Sequence, residues 1–105
     1  MNVIIVGGGN VGYYLAERLS GNHYVVLIEK KPTVGEKIAG KMNAMVILGD
    51  GCDPETLKKA GIKKADVVAA VTGNDVDNII ICQIAKDIYN VRRTVAIVNL
   101  SLIHI

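Results

Sequence analysis

Apolar residues along this chain fall into two patterns that alternate. Continuous, largely β-branched runs occur at Asn2–Val6, Tyr24–Glu29, Ala44–Leu48, Asp66–Val71 and Thr94–Val98. A strand with one solvated face would alternate apolar and polar positions, so unbroken runs read as strands covered on both faces. Between the first two runs, Val11, Leu15 and Leu19 are spaced as one helical stripe, which predicts a helix over Val11–Ser20 that Gly21 ends. Pro32 opens the next helix, whose stripe is Val34, Ile38 and Met42, although Gly35 and Gly40 weaken it. Asp53 followed by Pro54 reads as an N-cap and first-turn proline of a short helix closed by Gly61. The polar turn Thr72-Gly73-Asn74-Asp75 caps a longer helix through about Tyr89. Strand and helix in strict alternation predict an α/β fold, a doubly wound parallel sheet in the order 3-2-1-4-5.

The last helix changes that picture. Ile79, Ile80, Ile81, Cys82, Ile84, Ala85 and Ile88 cover far more of its circumference than one sheet face needs. A second copy of the chain is the simplest cover for the excess, which points to a homo-oligomer. At 105 residues the chain holds one domain and no more. The net charge of +2 comes from interspersed signs with no Lys/Arg block, so nucleic acid is not an expected partner. The N-terminus lacks the layout of a signal peptide, and no stretch of ~18 apolar residues occurs, which gives a cytoplasmic expectation. Cys52 and Cys82 are too far apart for a CxxC pattern and read as reduced thiols. His23 and His104 stand apart from any cluster of ligands, so no metal is expected.

Gly7-Gly8-Gly9-Asn10-Val11-Gly12 matches G-x-G-x-x-G between a buried strand and an amphipathic helix, the setting of a Rossmann-like phosphate turn. In that setting Gly7 makes the tight turn, Gly9 lets a phosphate reach the backbone, and Gly12 lets helix and strand pack closely. The helix's free amides and positive dipole end then face the anion. Glu29 ends the second strand, where such folds place an acid that accepts hydrogen bonds from ribose hydroxyls and repels the 2′-phosphate of NADP. Its alternative is an ordinary exposed strand-end acid. Asp50, in Gly49-Asp50-Gly51-Cys52 after the third strand, is placed either to reach an adenine amino group or to serve as a plain turn residue. Thr72-Gly73-Asn74-Asp75 follows the fourth strand and borders the switch point between strands one and four. Asp75 and Asp77 read as first-turn acids favoured by the helix dipole. No catalytic residue emerges: His23 falls at the opposite sheet edge and His104 in the last two residues.

Together the glycine turn, Glu29, Gly49-Asp50 and the stretch Val71-Thr72-Gly73-Asn74-Asp75…Asn78 running on to Cys82-Gln83-Ile84-Ala85 resemble the N-terminal domain of TrkA-type regulatory proteins. This is the KTN or RCK nucleotide-binding domain of potassium uptake systems, and the resemblance covers about residues 1–99. It implies a non-enzymatic, cytoplasmic, peripheral subunit. Its dimers build a ring under a potassium-translocating membrane subunit and respond to NAD(H), foremost, or to ATP or ADP. By motif match, Gly7, Gly9, Asn10, Val11 and Gly12 hold the phosphates, Glu29 the adenosine ribose and Asp50 the adenine edge, while Thr72 and Asn74 line the crevice. The family usually continues beyond this point with a helix, a further strand and a separate regulatory domain. Here the segment 100–105 departs from it, so the resemblance implies a truncated domain over 1–99 with a short tail foreign to it. The alternative function, the nucleotide-binding half of an NAD-dependent dehydrogenase, shares the glycine turn. It does not account for Asp50 or the Thr72–Asn78 stretch.

Overall fold

The computed structural model describes residues 1–98 and 101–105. Five strands run parallel: β1 (Asn2–Val6), β2 (Tyr24–Glu29), β3 (Met45–Leu48), β4 (Val67–Ala70) and β5 (Arg93–Val98). They lie in the expected order, β3-β2-β1-β4-β5. A sixth strand, β6 (Ser101–His104), lies antiparallel beyond β5, with Val95 opposite His104 and Val98 opposite Ser101. The sheet is therefore mixed, where the sequence pattern predicts a parallel sheet of five strands with a short tail at 100–105. All four β6 side chains are exposed. The strand exists because β5 otherwise presents an open edge of unpaired backbone groups, a cause that leaves no trace in side-chain periodicity. The Asn99 boundary assigned to the domain, together with Leu100, lies outside the described residues.

The period of two along each strand divides the core. Ile4, Val6, Val26, Ile28, Val68 and Ala70 face one side, and Val3, Ile5, Val25, Leu27, Ala69 and Val71 belong to the core on the other. Helices α1 (Asn10–Leu19) and α2 (Pro32–Ile38) cover the second side. The first is covered by α3 (Pro54–Lys59) and α4 (Asp75–Gln83), the latter continuing as a π-helical segment, Ile84–Ile88. Helix α2 is shorter than its stripe: Ala39 leaves helical geometry at ψ 129° and Gly40 takes φ +84°, so Met42 lies past the helix end. It still packs in the same core cluster. Asp53 caps α3 by accepting from the Glu55 amide at 3.0 Å, and Gly61 takes φ +88° after it, as expected.

Every βα turn lies at the carboxyl end of the sheet. The glycine turn after β1, Glu29 at the end of β2, Gly49–Cys52 after β3 and Thr72–Asn74 after β4 therefore meet at one edge. His23 is at the other edge, where its Nδ1 lies 3.2 Å from the N-terminal amine.

Candidate functional site

At that edge a cleft of about 370 Å³ opens across β2, β1 and β4. Gly7, Gly9, Glu29, Asp50, Thr72 and Asn74 line it, six of the nine residues singled out from sequence. The other three sit differently. Asn10 borders a neighbouring depression on the α1–α2 side, with Gly8, Tyr13, Lys37 and Lys41. Val11 is exposed on α1, and Gly12 is buried behind the turn. The structure thus gives Gly12 a packing role, since a Cβ there would land on the carbonyl oxygen of Gly7.

The glycines separate by cause. Gly7 has φ +113°, and a Cβ on it would meet the Thr72 backbone at 2.9 Å, so the turn and the neighbouring loop both require it. Gly9 is the N-cap of α1 with φ −71° and ψ −163°, an ordinary extended conformation, and a Cβ there would touch nothing within 4 Å. Nothing in the chain's own packing or backbone demands a glycine at that position. The same open space surrounds Gly73 across the cleft. Helix α1 begins at Gly9 with no side-chain cap and no acid in its first turn, so its first amides have no acceptor within the helix. By contrast, Asn74 caps α4 by accepting from the Asp77 amide at 2.9 Å.

Glu29 is no ordinary exposed acid. Only 8% of it is exposed, Oε1 accepts from the Gly8 amide at 2.6 Å, and Oε2 accepts from the Lys31 amide at 2.7 Å. It ties the end of β2 to the glycine turn. A carboxylate offers about four acceptor sites, so the two used here leave room for a diol. Asp50 acts in its turn, where Oδ1 accepts from the Cys52 amide at 2.9 Å, and the residue also lines the cleft. Its Oδ2 lies 3.7 Å from Lys30 Nζ, an exposed pair of little stabilising value.

Sequence reasoning gives Asn78 no role of its own and places neither Gly73 nor Asp77 among the site residues. Asn78 is fully buried and holds the Thr72 loop. Its only sequence signal is one amide side chain interrupting the apolar face of α4. Asp77 lines the cleft and, with Asp50, lies near Cys52. Burial first, then those two carboxylates, push the Cys52 thiol up to about 11, and burial pushes Cys82 up to about 11. Both thiols accordingly stay protonated at neutral pH. Alkylation by iodoacetamide at pH 8, followed by mass spectrometry, is expected to run about 100-fold slower for each in the native chain than in urea, because the thiolate is the nucleophile.

A family model described as the TrkA-N domain matches residues 3–101. The chain belongs to the TrkA-N domain family. It is similar to the Trk system potassium uptake protein TrkA homolog of Methanothermobacter thermautotrophicus, at 42% identity over 100 residues covering 94% of this chain and 46% of that one. With the TrkA of Vibrio alginolyticus it shares 41% identity over 85 residues, 80% of this chain and 19% of that one. It thus spans less than half the length of these curated relatives. Among solved structures, the TrkA-N domain of the Escherichia coli inner membrane protein ybaL has a TM-score of 0.81 at 22% identity, over 90% of this chain and 70% of that one. The Shewanella denitrificans Kef C-terminal domain in its AMP-bound form gives 0.79 at 24%, over 91% and 58%. The GsuK channel bound to NAD gives 0.78 at 20%, over 90% and 17%. These likenesses establish the TrkA-N fold. The curated relatives are named for potassium uptake.

Proposed function

We propose that this TrkA-N domain is the nucleotide-binding regulatory part of a Trk-type potassium uptake protein. It takes NAD(H), or alternatively ATP or ADP, in the cleft at the carboxyl edge of its sheet. The observation that carries this reading is Gly9: a glycine that neither backbone nor packing needs, at the uncapped start of α1, beside a cleft. A phosphate approaching the backbone accounts for it, and the first-turn amides and dipole of α1 supply its donors. Glu29 would take the adenosine ribose with its spare acceptor sites, and Asp50 the adenine edge. Backbone groups of Gly7 and Gly9, with Thr72 and Asn74 opposite, would flank the diphosphate. AMP and NAD in the two structural neighbours lend support to an adenine nucleotide.

Calorimetric titration with NAD, NADH, NADP, ATP and ADP tests the assignment. One or more of the four nucleotides without a 2′-phosphate is expected to bind at least about tenfold more tightly than NADP, because Glu29 opposes a 2′-phosphate. Glu29→Ala should erase the preference and weaken binding. If none of the five binds, the ligand assignment is wrong.

Control of transport requires that the domain act on others. The relatives are named for potassium uptake; on this reading the partner is a potassium-translocating membrane subunit, with the domain on its cytoplasmic side. No helix among the described residues is long and apolar enough to cross a membrane. Helix α4 and its π-helical extension leave Val76 and Ile88 more than 60% exposed, with Ile79 and Ile80 partly so, the excess expected from sequence. A second copy would cover this face, in dimers that build a ring. Val76→Lys with Ile80→Glu should abolish self-association in analytical ultracentrifugation and leave the thermal midpoint of the monomer within a few degrees, as surface changes do.

A further inference from the structure

Asn78 has no exposed surface, yet it sits in the first turns of α4 among aliphatic neighbours. Burying an amide costs free energy unless all its groups are paired, and here they are. Oδ1 accepts from the Thr72 amide at 3.0 Å and from Thr72 Oγ1 at 2.5 Å. Nδ2 donates to the Thr72 carbonyl at 3.0 Å and to the Ile97 carbonyl of β5 at 2.9 Å. One side chain therefore joins three elements: the cleft loop after β4, the helix that carries the exposed apolar face, and the last parallel strand.

Capping or packing α4 would not need this arrangement. Asn74 already caps the helix, and the neighbouring buried positions Ile81 and Ala85 are filled by apolar side chains. What the arrangement does is grip Thr72 on all three of its polar groups, while Thr72 Oγ1 also accepts from the Asn74 amide at 3.2 Å. The cleft wall Thr72–Asn74 cannot shift without moving Asn78, and Asn78 cannot move without breaking its bond to Ile97 or tilting the start of α4.

We infer that Asn78 is a positioning residue: it shapes the Thr72–Asn74 wall for ligand and transmits occupancy of the cleft to α4 and the carboxyl end of β5. This rests on the nucleotide reading above. It adds the physical link by which a bound nucleotide reaches the face offered to a second copy. Chains of hydrogen bonds and packed side chains can carry such coupling between sites, and the Asn78 bonds form a chain of that kind.

The wild-type chain, isotope-labelled and titrated with ADP and with NAD, gives the first test by NMR. The Asn78 side-chain amide and the Ile97 and Val98 backbone amides are expected to shift along the same saturation curve as Gly9. If Gly9 shifts and those three stay still, the inference is overturned while the nucleotide reading stands. If Gly9 does not shift with either nucleotide, the titration is repeated with NADH and ATP, and no shift with any of the four overturns the nucleotide reading and the inference with it.

The second test uses Asn78→Asp and the nucleotide that the wild type binds. The carboxylate keeps the volume and one acceptor but loses both donors, and its burial raises its pKa. Protonation restores a donor, so binding by the variant should be at least tenfold weaker than wild type at pH 8 and recover as pH falls toward 5.5. The ratio of variant to wild-type affinity isolates this from titration of the ligand. A folded variant with wild-type affinity at every pH would reduce Asn78 to a core filler. If the variant does not fold, the wild-type NMR pattern decides alone.

Discussion

Gly9→Asp is expected to leave the fold as stable as wild type, or slightly more so, and to weaken nucleotide binding by about 100-fold or more. The backbone at Gly9 is in an ordinary extended conformation, and a Cβ meets nothing within 4 Å, so the substitution introduces neither strain nor a clash. Asp is among the preferred N-caps, and α1 has no side-chain cap at present; the new carboxylate would accept from a first-turn amide and favour the positive end of the helix. The gain over Gly amounts to a few tenths of a kcal/mol, a shift of the thermal midpoint by about 1–3 °C. The same carboxylate takes the donors offered to a phosphate and sets a negative charge where the phosphate belongs. A hundredfold loss corresponds to about 2.7 kcal/mol, well within the cost of losing charge-assisted bonds while adding repulsion. Thermal unfolding and calorimetry on one preparation check it. An unchanged affinity would mean that Gly9 does not face the ligand.

Gly12→Ala should behave in the opposite way, failing as a fold before it fails as a site. Its Cβ would land on the Gly7 carbonyl oxygen, and Val71 Cγ2 stands 3.3 Å away on the remaining side. Helix α1 would have to lift from β1 and β4, opening the core around Ala16, which has no exposed surface. Overpacking with backbone displacement costs about 3 kcal/mol, which for a chain of this length lowers the thermal midpoint by about 15 °C. Differential scanning calorimetry measures this directly, and a fall of less than about 3 °C would show that helix and strand are not packed as described. The two glycines belong to one motif, and the contrast between their variants separates the position that serves the fold from the one that serves the ligand.

The motif's setting already assigns Gly7 to the turn, Gly9 to phosphate approach and Gly12 to helix–strand packing, with Asn10 and Val11 between them. Only the packing shows that Gly7 is pinned by the Thr72 backbone and Gly12 by Gly7, while Gly9 faces open space. Glu29 behaves similarly. Its place at the end of β2 follows from the strand pattern, whereas its two bonds to the Gly8 and Lys31 amides depend on β1 and β2 lying side by side. Spacing alone admits two roles for Asp50; the structure shows its turn bond to the Cys52 amide and its place on the cleft wall. Asn78 carries no local signal of its task, because its partners are six and nineteen residues away.

By itself the sequence determined the five parallel strands, their order, the helix caps at Asp53 and Asn74, and the edge at which the turns gather. These depend on periodicity and on short-range turn and cap chemistry, both of which are local in the chain. The family could also be read from contiguous stretches. Tertiary structure alone decided that β6 adds antiparallel to the open edge of β5, that α2 ends before Met42, and which glycine is spare. It also decided that a single buried amide ties the cleft to α4 and β5. Each of these depends on backbone edges or side-chain partners brought together from distant parts of the chain, and a local pattern carries no record of what will lie across from it.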